Sequence, residues 1–365
     1  MSEWQTFCLK DLGKIVGGTT PSTNNPKNYG NKIAWITPKD LSTLQGRYIK
    51  KGSRSISRLG FKSCSCVLLP KHAILFSSRA PIGYVAIAKK RLCTNQGFKS
   101  IIPNKKIYFE FLYYLLKYHK DNISNIGGGT TFKEVSGATL GLFKVKIPPT
   151  YYEQQKIART LSILDQKIEN NHKINELLHT LAYKIYEYYF KYKPKNAKLE
   201  QIIIENPKSS IMVKNAQKTQ DKYPFFTSGD NILSYPKAII DGRNCFLNTG
   251  GNAGIKFYVG KTSYSTDTWC ICANEFSDYL YLLLSSIKTH INQSFFQGTC
   301  LKHLQKNLLK KYPIYMPSAH EIKKFNQIIM PLLTLISINT RTSKKLEQIR
   351  DFLLPLLLKQ QVKPQ

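Results

Sequence analysis

The chain repeats itself at an interval of about 170 residues, and this duplication constrains its fold more than any other feature of the sequence. Residues 78–83 are echoed by residues 249–254, and residues 94–98 by residues 265–269, both at an offset of 171. Further on, residues 129–133 match residues 298–302 at an offset of 169. Because the matches keep their order and a nearly constant offset, the sequence predicts two homologous globular modules.

Each module is followed by the same pattern for a long helix. Thr150 with Glu153 and Ser318 with Glu321 form two capping boxes 168 residues apart, which is a whole number of heptads. Apolar residues at helical spacing then continue for about 40 residues in each half, which predicts two helices paired as a coiled coil. The predicted seam residues are Ile157, Leu164, Asn171 and Leu178 in the first helix and Leu332, Asn339, Leu346 and Leu353 in the second.

Three residues depart from the regular apolar pattern of this helix pair. Asn171 and Asn339 hold equivalent seam positions near the helix midpoints, which face each other in an antiparallel pair. The two amides are expected either to hydrogen-bond across the seam and fix its register, or to reach solvent at the seam edge. Pro331 lies inside the second helix and removes a backbone hydrogen bond, so we expect it to kink that helix or delay its start.

The predicted fold class is α+β, with two α/β globular domains separated by two long antiparallel coiled-coil helices in a pseudo-two-fold internal repeat. The expected boundaries are 1–149 for the first domain, 150–192 for the central helix, 193–317 for the second domain and 318–361 for the C-terminal helix. Strands are predicted at 33–37, 67–69, 84–88, 223–227 and 257–259, and further helices at 107–119 and 279–286.

The charge balance points to an acidic partner. The chain has 54 Lys and Arg against 22 Asp and Glu, a formal net charge of +32. Nucleic acid is the first candidate because its dense phosphate charge relieves such self-repulsion, although a generally lysine-rich composition without a partner is the alternative. The lysines do not form one amphipathic basic helix, no apolar run approaches the ~18 residues of a membrane span, and the first residues lack a signal peptide's apolar run. We therefore expect a cytoplasmic protein with no membrane contact.

Sequence patterns for catalysis or metal binding are weak. Residues 254–262 place five residues between two glycines where a phosphate-binding loop has four, and strand-like residues follow. An adenine methyltransferase motif would include a Pro-Pro pair, but Pro148-Pro149 precedes a helix start. The acidic residues do not cluster as a metal nuclease requires. The pairs Cys64/Cys66 and Cys270/Cys272 are expected to be reduced structural thiols, since no histidine has matching zinc-ligand spacing. We predict a non-catalytic chain without a metal site.

An ordered set of motifs carries a family resemblance. It comprises GTTP at 18–21, WITPKDL at 35–41, SSRAPIG at 77–83, TNQGF at 94–98, GTTF at 129–132 and IPPTYYEQQKIA at 147–158. Together with the duplication, this set resembles the specificity (S) subunit of type I restriction-modification enzymes. The second half departs from the pattern at 249–254 and at 319–322, which leaves open whether the second domain is fully functional.

The resemblance implies that each globular segment is a target recognition domain that reads one half of a bipartite site in double-stranded DNA. It implies that the helices set the spacing and dock two methyltransferase (M) subunits, through outward positions between 153 and 190 and between 321 and 358, such as Gln154 and Arg159. Restriction/translocase (R) subunits would be further partners. S-adenosylmethionine would belong to M, and ATP with magnesium to R, so this chain would hold no cofactor.

Candidate DNA contacts follow from side-chain chemistry, since Arg and Lys suit guanine and phosphate and Asn and Gln suit adenine. The alternative is that the repeated motif residues support loops while the base readers lie in the segments between them. A different reading of the whole chain is a stand-alone nucleic-acid-binding scaffold with a coiled-coil clamp. The candidate DNA-contacting residues are Thr37, Lys39, Arg79, Gln96 and Lys133 in the first domain and Thr227, Asn252, Lys256, Thr266 and Lys302 in the second.

Overall fold

The chain divides into two units, each built from one globular segment and a stretch of both long helices. A computed structural model describes residues 3–129, 133–216 and 222–364. The first unit comprises Met1–Glu169 with Leu346–Gln365, and the second comprises Asn170–Lys345. Thr130, Thr131 and Phe132, which belong to one of the repeated motifs, lie outside the described residues.

The first unit is a layered α+β structure. Its strands form a five-stranded sheet in the order β2-β9-β6-β7-β4, a three-stranded sheet in the order β5-β3-β8 and the pair β1-β10. The strands are β1 Gln5–Cys8, β2 Gly13–Gly17, β3 Tyr29–Ile36, β4 Tyr48–Ile49, β5 Arg54–Ile56, β6 Ile74–Phe76, β7 Val85–Ala88, β8 Cys93–Thr94, β9 Lys99–Pro103 and β10 Lys144–Ile147. The helices are α1 Leu9–Leu12, α2 Pro38–Ser42, α3 Arg58–Lys62, α4 Phe109–Asn125, α5 Gly137–Leu142 and the first part of α6 Tyr151–Tyr186.

The second unit repeats this plan. Its sheets have the orders β12-β18-β15-β16, β14-β13-β17, β11-β21 and β19-β20. The strands are β11 Ala197–Lys198, β12 Ile204–Glu205, β13 Tyr223–Phe226, β14 Leu233–Tyr235, β15 Arg243–Asn248, β16 Ile255–Val259, β17 Ser263–Tyr264, β18 Thr268–Cys272, β19 Phe296–Gln297, β20 His303–Leu304 and β21 Pro313–Ile314. The helices are the rest of α6 with a π-helical turn at Glu187–Lys191, α7 Val213–Ala216, α8 Ser277–Ser286, α9 Lys288–Ser294, α10 Lys306–Lys310 and most of α11 Ala319–Leu358.

Each unit has its own core, in which one aromatic-rich helix covers the larger sheet. Phe111 and Leu115 of α4 are buried against Ile74 and Ile101 in the first unit. The core of the second unit gathers residues of α8, the larger sheet and both long helices. The predicted α+β fold with an internal repeat is confirmed. The strand expected at 67–69 is wrong: Leu69 makes only an isolated bridge to Leu92, because Pro70 follows it and has no N–H to extend the ladder.

The helix starts lie where the capping boxes predict them. Thr150 Oγ1 accepts from the backbone N–H of Glu153 at 3.2 Å, and α6 begins at the next residue, Tyr151. At the second start, Glu321 Oε2 accepts from the Ser318 N–H at 2.9 Å while Ser318 Oγ accepts from the Glu321 N–H at 3.3 Å. Pro331 does not delay the start of α11, which runs unbroken from Ala319 to Leu358, so the expectation of a late start is wrong. Because Pro331 has no N–H, the Gln327 carbonyl lacks its helical hydrogen bond. Both residues are exposed, so this carbonyl faces solvent and is not left unpaired in the core.

The seam is antiparallel within each unit, but its asparagines do not pair as equivalents. Asn171 Nδ2 donates to Ser343 Oγ at 3.1 Å, and Asn339 Nδ2 donates to Asn175 Oδ1 at 2.9 Å. The expectations that Asn171 and Asn339 bond to each other or end in solvent are therefore both wrong. Apolar packing sets a seam register that is shifted by one helical turn from the register in which Asn171 and Asn339 would face each other. Of the apolar seam positions, Ile157 and Leu353 lie in the first core, Leu178 and Leu332 in the second, and Leu164 and Leu346 are half-buried.

Candidate nucleic-acid interface

Loops from five parts of the first unit meet at one end of its sheets, and we call them the first loop cluster (residues 18–20, 37–40, 77–79, 95–97, 128 and 133–134). The Asn95 N–H donates to the Ile36 carbonyl at 2.9 Å, and the Ser78 N–H donates to the Gly97 carbonyl at 2.8 Å. The loop at Gly18 presses against the same turn, where a Cβ would lie only 2.0 Å from the Asn95 carbonyl oxygen. Glycine is therefore required at this close approach.

The second unit builds an equivalent second loop cluster (residues 227–229, 248–252, 265–267 and 302–303). Its Ser265 N–H donates to the Phe226 carbonyl at 2.9 Å, and its Thr249 N–H donates to the Asp267 carbonyl at 3.3 Å. The bond from Leu304 N–H to the Thr249 carbonyl at 3.0 Å repeats the one from Val135 N–H to the Ser78 carbonyl at 3.0 Å. The duplication therefore extends to individual hydrogen bonds.

These bonds correct one detail of the sequence alignment. Asn95 and Ser265 make the same backbone bond, so they are equivalent at an offset of 170, not the offset of 171 inferred from residues 94–98 and 265–269. The difference of one residue arises in the turn between β15 and β16, which is one residue shorter than the turn between β6 and β7. Ile255 pairs with Leu247 there, whereas Val85 pairs with Phe76.

The first loop cluster contains all five candidates of the first domain. Thr37 is the N-cap residue of α2, and both its N–H and its Oγ1 donate to Asp40 Oδ2, at 2.8 and 2.7 Å, with Lys39 exposed beside it. Although burial acts to raise it, the pKa of Asp40 is lowered because Ser53 and Thr37 donate hydrogen bonds to the carboxylate. Arg79 Nη1 lies 3.6 Å from Glu134 Oε2 and stays partly exposed. Gln96 is exposed and accepts from Thr20, and Lys133 is exposed.

Two of the five candidates of the second domain already bond to the backbone of the second loop cluster: Lys256 of β16 and Thr227. Lys256 Nζ donates to the carbonyls of Thr227 at 2.7 Å and Gly229 at 2.6 Å, and burial lowers the pKa of its ammonium group. Thr227 itself is buried, and its Oγ1 accepts from the Gly229 N–H at 3.0 Å. The other candidates, Asn252, Thr266 and Lys302, are at least partly accessible.

One arginine in each unit, the buried Arg47 and the half-buried Arg243, fixes the larger sheet to a long helix, and no sequence pattern indicates either of them. Arg47 is 3% exposed and contacts Glu110 at 3.1 Å and Glu169 of α6 at 3.1 Å. In the second unit, Arg243 pairs with Asp278 and donates to Thr334 Oγ1 of α11 at 3.0 Å. Burial raises the pKa of Asp278, and Arg243 opposes that shift.

These two arginines are not equivalent in sequence. Arg243 is at a position of β15 whose counterpart is His72, whereas Arg47 precedes β4, which has no counterpart among the described strands of the second unit. A repeat search therefore carries no signal for them. The carboxylate partners of both arginines are distant in the sequence, so each ion pair becomes visible only in three dimensions.

The described residues contain no group of three or more His, Cys, Asp or Glu side chains placed to hold a metal ion. Within the same ranges, no helix combines the length and the apolar character that crossing a bilayer requires.

Comparison with known proteins identifies the family. The family model described as the type I restriction modification DNA specificity domain matches residues 1–180 and 195–348. The MjaIX specificity subunit of a type I restriction enzyme from Methanocaldococcus jannaschii is 33% identical over 98% of this chain and 93% of its own length. The HindI specificity subunit from Haemophilus influenzae is 30% identical over 46% of this chain and 37% of its own.

A solved structure supports the same fold. The S subunit of a type I restriction-modification system from M. genitalium superposes with a TM-score of 0.63 at 17% identity, covering 97% of this chain and 96% of that one. The chain therefore belongs to the specificity subunits of type I restriction-modification systems, a non-catalytic family whose partner subunits carry out the catalysis.

Proposed function

We propose that this chain recognises a bipartite sequence in double-stranded DNA, that each loop cluster reads one half-site, and that the helix pair docks two methyltransferase subunits. The observation that supports this most directly is the repetition of one hydrogen-bonded loop arrangement in both units. Two readers multiply specificity, because each mismatched base pair costs roughly 1–3 kcal/mol in its own half-site. S-adenosylmethionine, ATP and magnesium would serve the methyltransferase and restriction/translocase partners.

The loop clusters support a division between residues that contact DNA and residues that shape the loops. We assign DNA contact to the accessible candidates, which are Lys39, Arg79, Gln96 and Lys133 in the first cluster and Asn252, Thr266 and Lys302 in the second. Thr37, Thr227 and Lys256 would act indirectly, since their polar groups already bond within the clusters. A lysine whose ammonium group already bonds two carbonyl oxygens is poorly placed to neutralise a phosphate.

The docking part of the proposal rests on one flank of the helix pair. In the second unit, Tyr186 and Leu333 each follow a seam position and are buried in the domain core. Six exposed apolar residues instead each come one position before a seam residue, so in an antiparallel pair they share the opposite flank. The heptad spacing adds further residues to the seam positions predicted from the sequence: Asn175, Ala182, Ile185, Ile329 and Ile336. Leu177 is the most open of them, at 70% exposure. This docking face of the second unit consists of Ile174, Leu177, Leu181, Ile328, Leu335 and Ile338.

A smaller face of the same kind exists in the first unit. Ile163, Ile349 and Phe352 also precede seam residues, and Phe352 is 68% exposed. Apolar side chains in rows of this kind mark protein–protein interaction sites on helices. Two such faces fit two copies of one partner. Gln154, which the sequence analysis placed on the docking surface, is buried and donates to the Lys106 carbonyl at 3.1 Å, whereas Arg159 is exposed.

The proposed function is tested by expressing the chain with a type I methyltransferase subunit and mapping methylated adenines in the host genome. We expect a complex with two methyltransferase subunits per chain and methylation confined to one split sequence. A stand-alone scaffold would bind nucleic acid without retaining the methyltransferase subunit. Methylation of an unbroken sequence would contradict the two-reader assignment.

The docking face gives a prediction of its own. Leu177→Glu with Leu181→Glu should reduce methyltransferase co-purification at least 100-fold, because two charges would enter an apolar contact without partners. The control is Lys173→Glu with Thr180→Glu, two exposed positions of the same helix off that face. Equal loss of the partner in both double variants, with both chains folded by circular dichroism, would show that charge rather than the face is responsible.

A further inference from the structure

A group of cations lies at the end of the first unit's larger sheet that is remote from the first loop cluster. Strand β6 runs toward Ser77 and β7 leaves from Tyr84, so both strands have one end at that cluster. At their other ends, the Lys89 N–H donates to the Ile49 carbonyl at 2.9 Å and the His72 N–H donates to the Ala88 carbonyl at 2.9 Å. The two ends of each strand are about 13 Å apart, because a strand rises by ~3.3 Å per residue. We call this group the basic end: Lys50, Lys51, Lys71, Lys89, Lys90 and Arg91.

The charge of the basic end is uncompensated. Between residues 41 and 109 the sequence has 14 Lys and Arg and no Asp or Glu. All six members of the basic end are exposed, and none forms an ion pair with a residue that the structure describes. Arg47, Arg79 and Lys99, from the same segment, do pair with carboxylates. The six cations of the basic end are therefore exposed together without an acidic partner among the described residues.

The composition of the basic end favours phosphate over a protein partner. Protein interfaces are depleted in lysine and enriched in aromatic side chains, whereas this group has five lysines, one arginine and no aromatic member. Lysine and arginine supply the sequence-independent part of DNA binding through phosphate contacts, so a group built from these two residue types favours the sugar-phosphate backbone.

The second unit does not repeat this feature. At the corresponding end of its larger sheet, the Gly260 N–H donates to the Gly242 carbonyl at 2.9 Å. The adjoining Val259 bonds to α11, with its N–H donating to Ser337 Oγ at 3.0 Å and its carbonyl accepting from Arg341 at 3.0 Å. The cations of the first unit are therefore an addition to the shared plan and are not required by it.

We propose that the basic end binds the phosphate backbone of duplex DNA that flanks the half-site read by the first unit, irrespective of its sequence. The inference rests on the proposed function in that it needs the first loop cluster to hold the adjacent half-site. Its effect would be to add affinity without adding specificity, and to do so in one half of the molecule only.

The test uses the full chain in complex with its methyltransferase subunits and the triple variant Lys89→Glu, Lys90→Glu, Arg91→Glu. The matched control is Lys10→Glu, Lys144→Glu, Lys146→Glu, three exposed cations of the same unit with the same change in charge. Each complex is titrated with a split-site duplex carrying long flanks, and with duplexes trimmed at one flank or the other, over a range of salt concentrations.

We expect the triple variant to bind the long duplex at least 10-fold more weakly than wild type, with the slope of log K against log salt reduced by about 3, since each lost phosphate contact removes about 0.9. Trimming one of the two flanks should cost wild type the same factor and cost the variant nothing further. Discrimination against single-base substitutions in the site should be unchanged, and the control should follow wild type.

The inference is overturned if the triple variant keeps the wild-type salt slope, or if trimming weakens variant and wild type equally. Loss of a partner subunit with unchanged DNA affinity would assign the basic end to an acidic protein surface instead. A wild-type complex that does not prefer the split site would contradict the proposed function. The salt slope and the flank dependence of its duplex binding would still decide the role of the basic end.

Discussion

Replacing Arg47 with alanine is expected to lower the free energy of unfolding of the first unit by about 3–5 kcal/mol. Arg47 is 3% exposed, and its guanidinium group contacts Glu110 and Glu169, with Asp165 at 4.0 Å. Removing it would leave these carboxylates buried without their shared counter-charge. Burial acts to lower the pKa of Arg47, but Tyr114, Glu169 and Glu110 raise it, so the group is charged at every relevant pH.

The measurement is urea unfolding of the full chain, followed by a probe in the first unit such as the fluorescence of Trp4 or Trp35. Arg58→Ala is the control, because Arg58 is exposed and forms no ion pair with a described residue. It should change the stability by less than about 0.5 kcal/mol. A loss below about 1 kcal/mol for Arg47→Ala would mean that water reaches these carboxylates and that the pair does not fix the sheet to α6.

The network around Arg47 also has a functional consequence. Asp165 accepts from Tyr114 at 2.6 Å and pairs with Arg350 of α11 at 2.7 Å, so α4 and both long helices meet at one carboxylate within the first unit. A recognition domain whose loops must contact base edges needs a fixed orientation relative to the helices that carry it. Arg47→Ala is therefore expected to reduce methylation at temperatures where the chain is still folded.

Local chemistry made the helices predictable from sequence. Each start is encoded within four residues, by Thr150 with Glu153 and by Ser318 with Glu321, and a capping box has the same meaning wherever it occurs. The seam register was not predictable in the same way. Equivalence by duplication placed Asn171 opposite Asn339, whereas the packing of each helix stretch against its own domain selects Ser343 and Asn175 as their partners.

Sequence order located the candidate site but not the function of each side chain. The repeated motifs converge in the two loop clusters because strand ends that share a sheet edge bring distant segments together. Whether a lysine faces solvent or the loop backbone depends on its surroundings. Lys256 and Lys302 look alike in the sequence, yet Lys256 Nζ bonds two loop carbonyls while Lys302 is exposed.

Inserting one heptad into both long helices at the same level is expected to lengthen the gap between the methylated half-sites by about 3 base pairs. The helices pass from one unit to the other between Glu169 and Asn170 and between Lys345 and Leu346. Seven residues add about 10.5 Å of helix, and a base pair occupies about 3.4 Å of duplex. A heptad keeps every inserted residue in the seam pattern, so the cross-seam bond of Asn175 with Asn339 is preserved.

The same heptad in α6 alone is the matched comparison. It would displace α6 against α11 on one side of the insertion by two helical turns, so either the bonds of Asn171 and Asn175 or the contact of Asp165 with Arg350 must break. We expect the single insertion to abolish methylation and the double insertion to retain it at the lengthened site, as read by methylation mapping. An unchanged gap in the double variant would show that the helices do not set the spacing, and full activity of the single variant would show that their pairing does not matter for it.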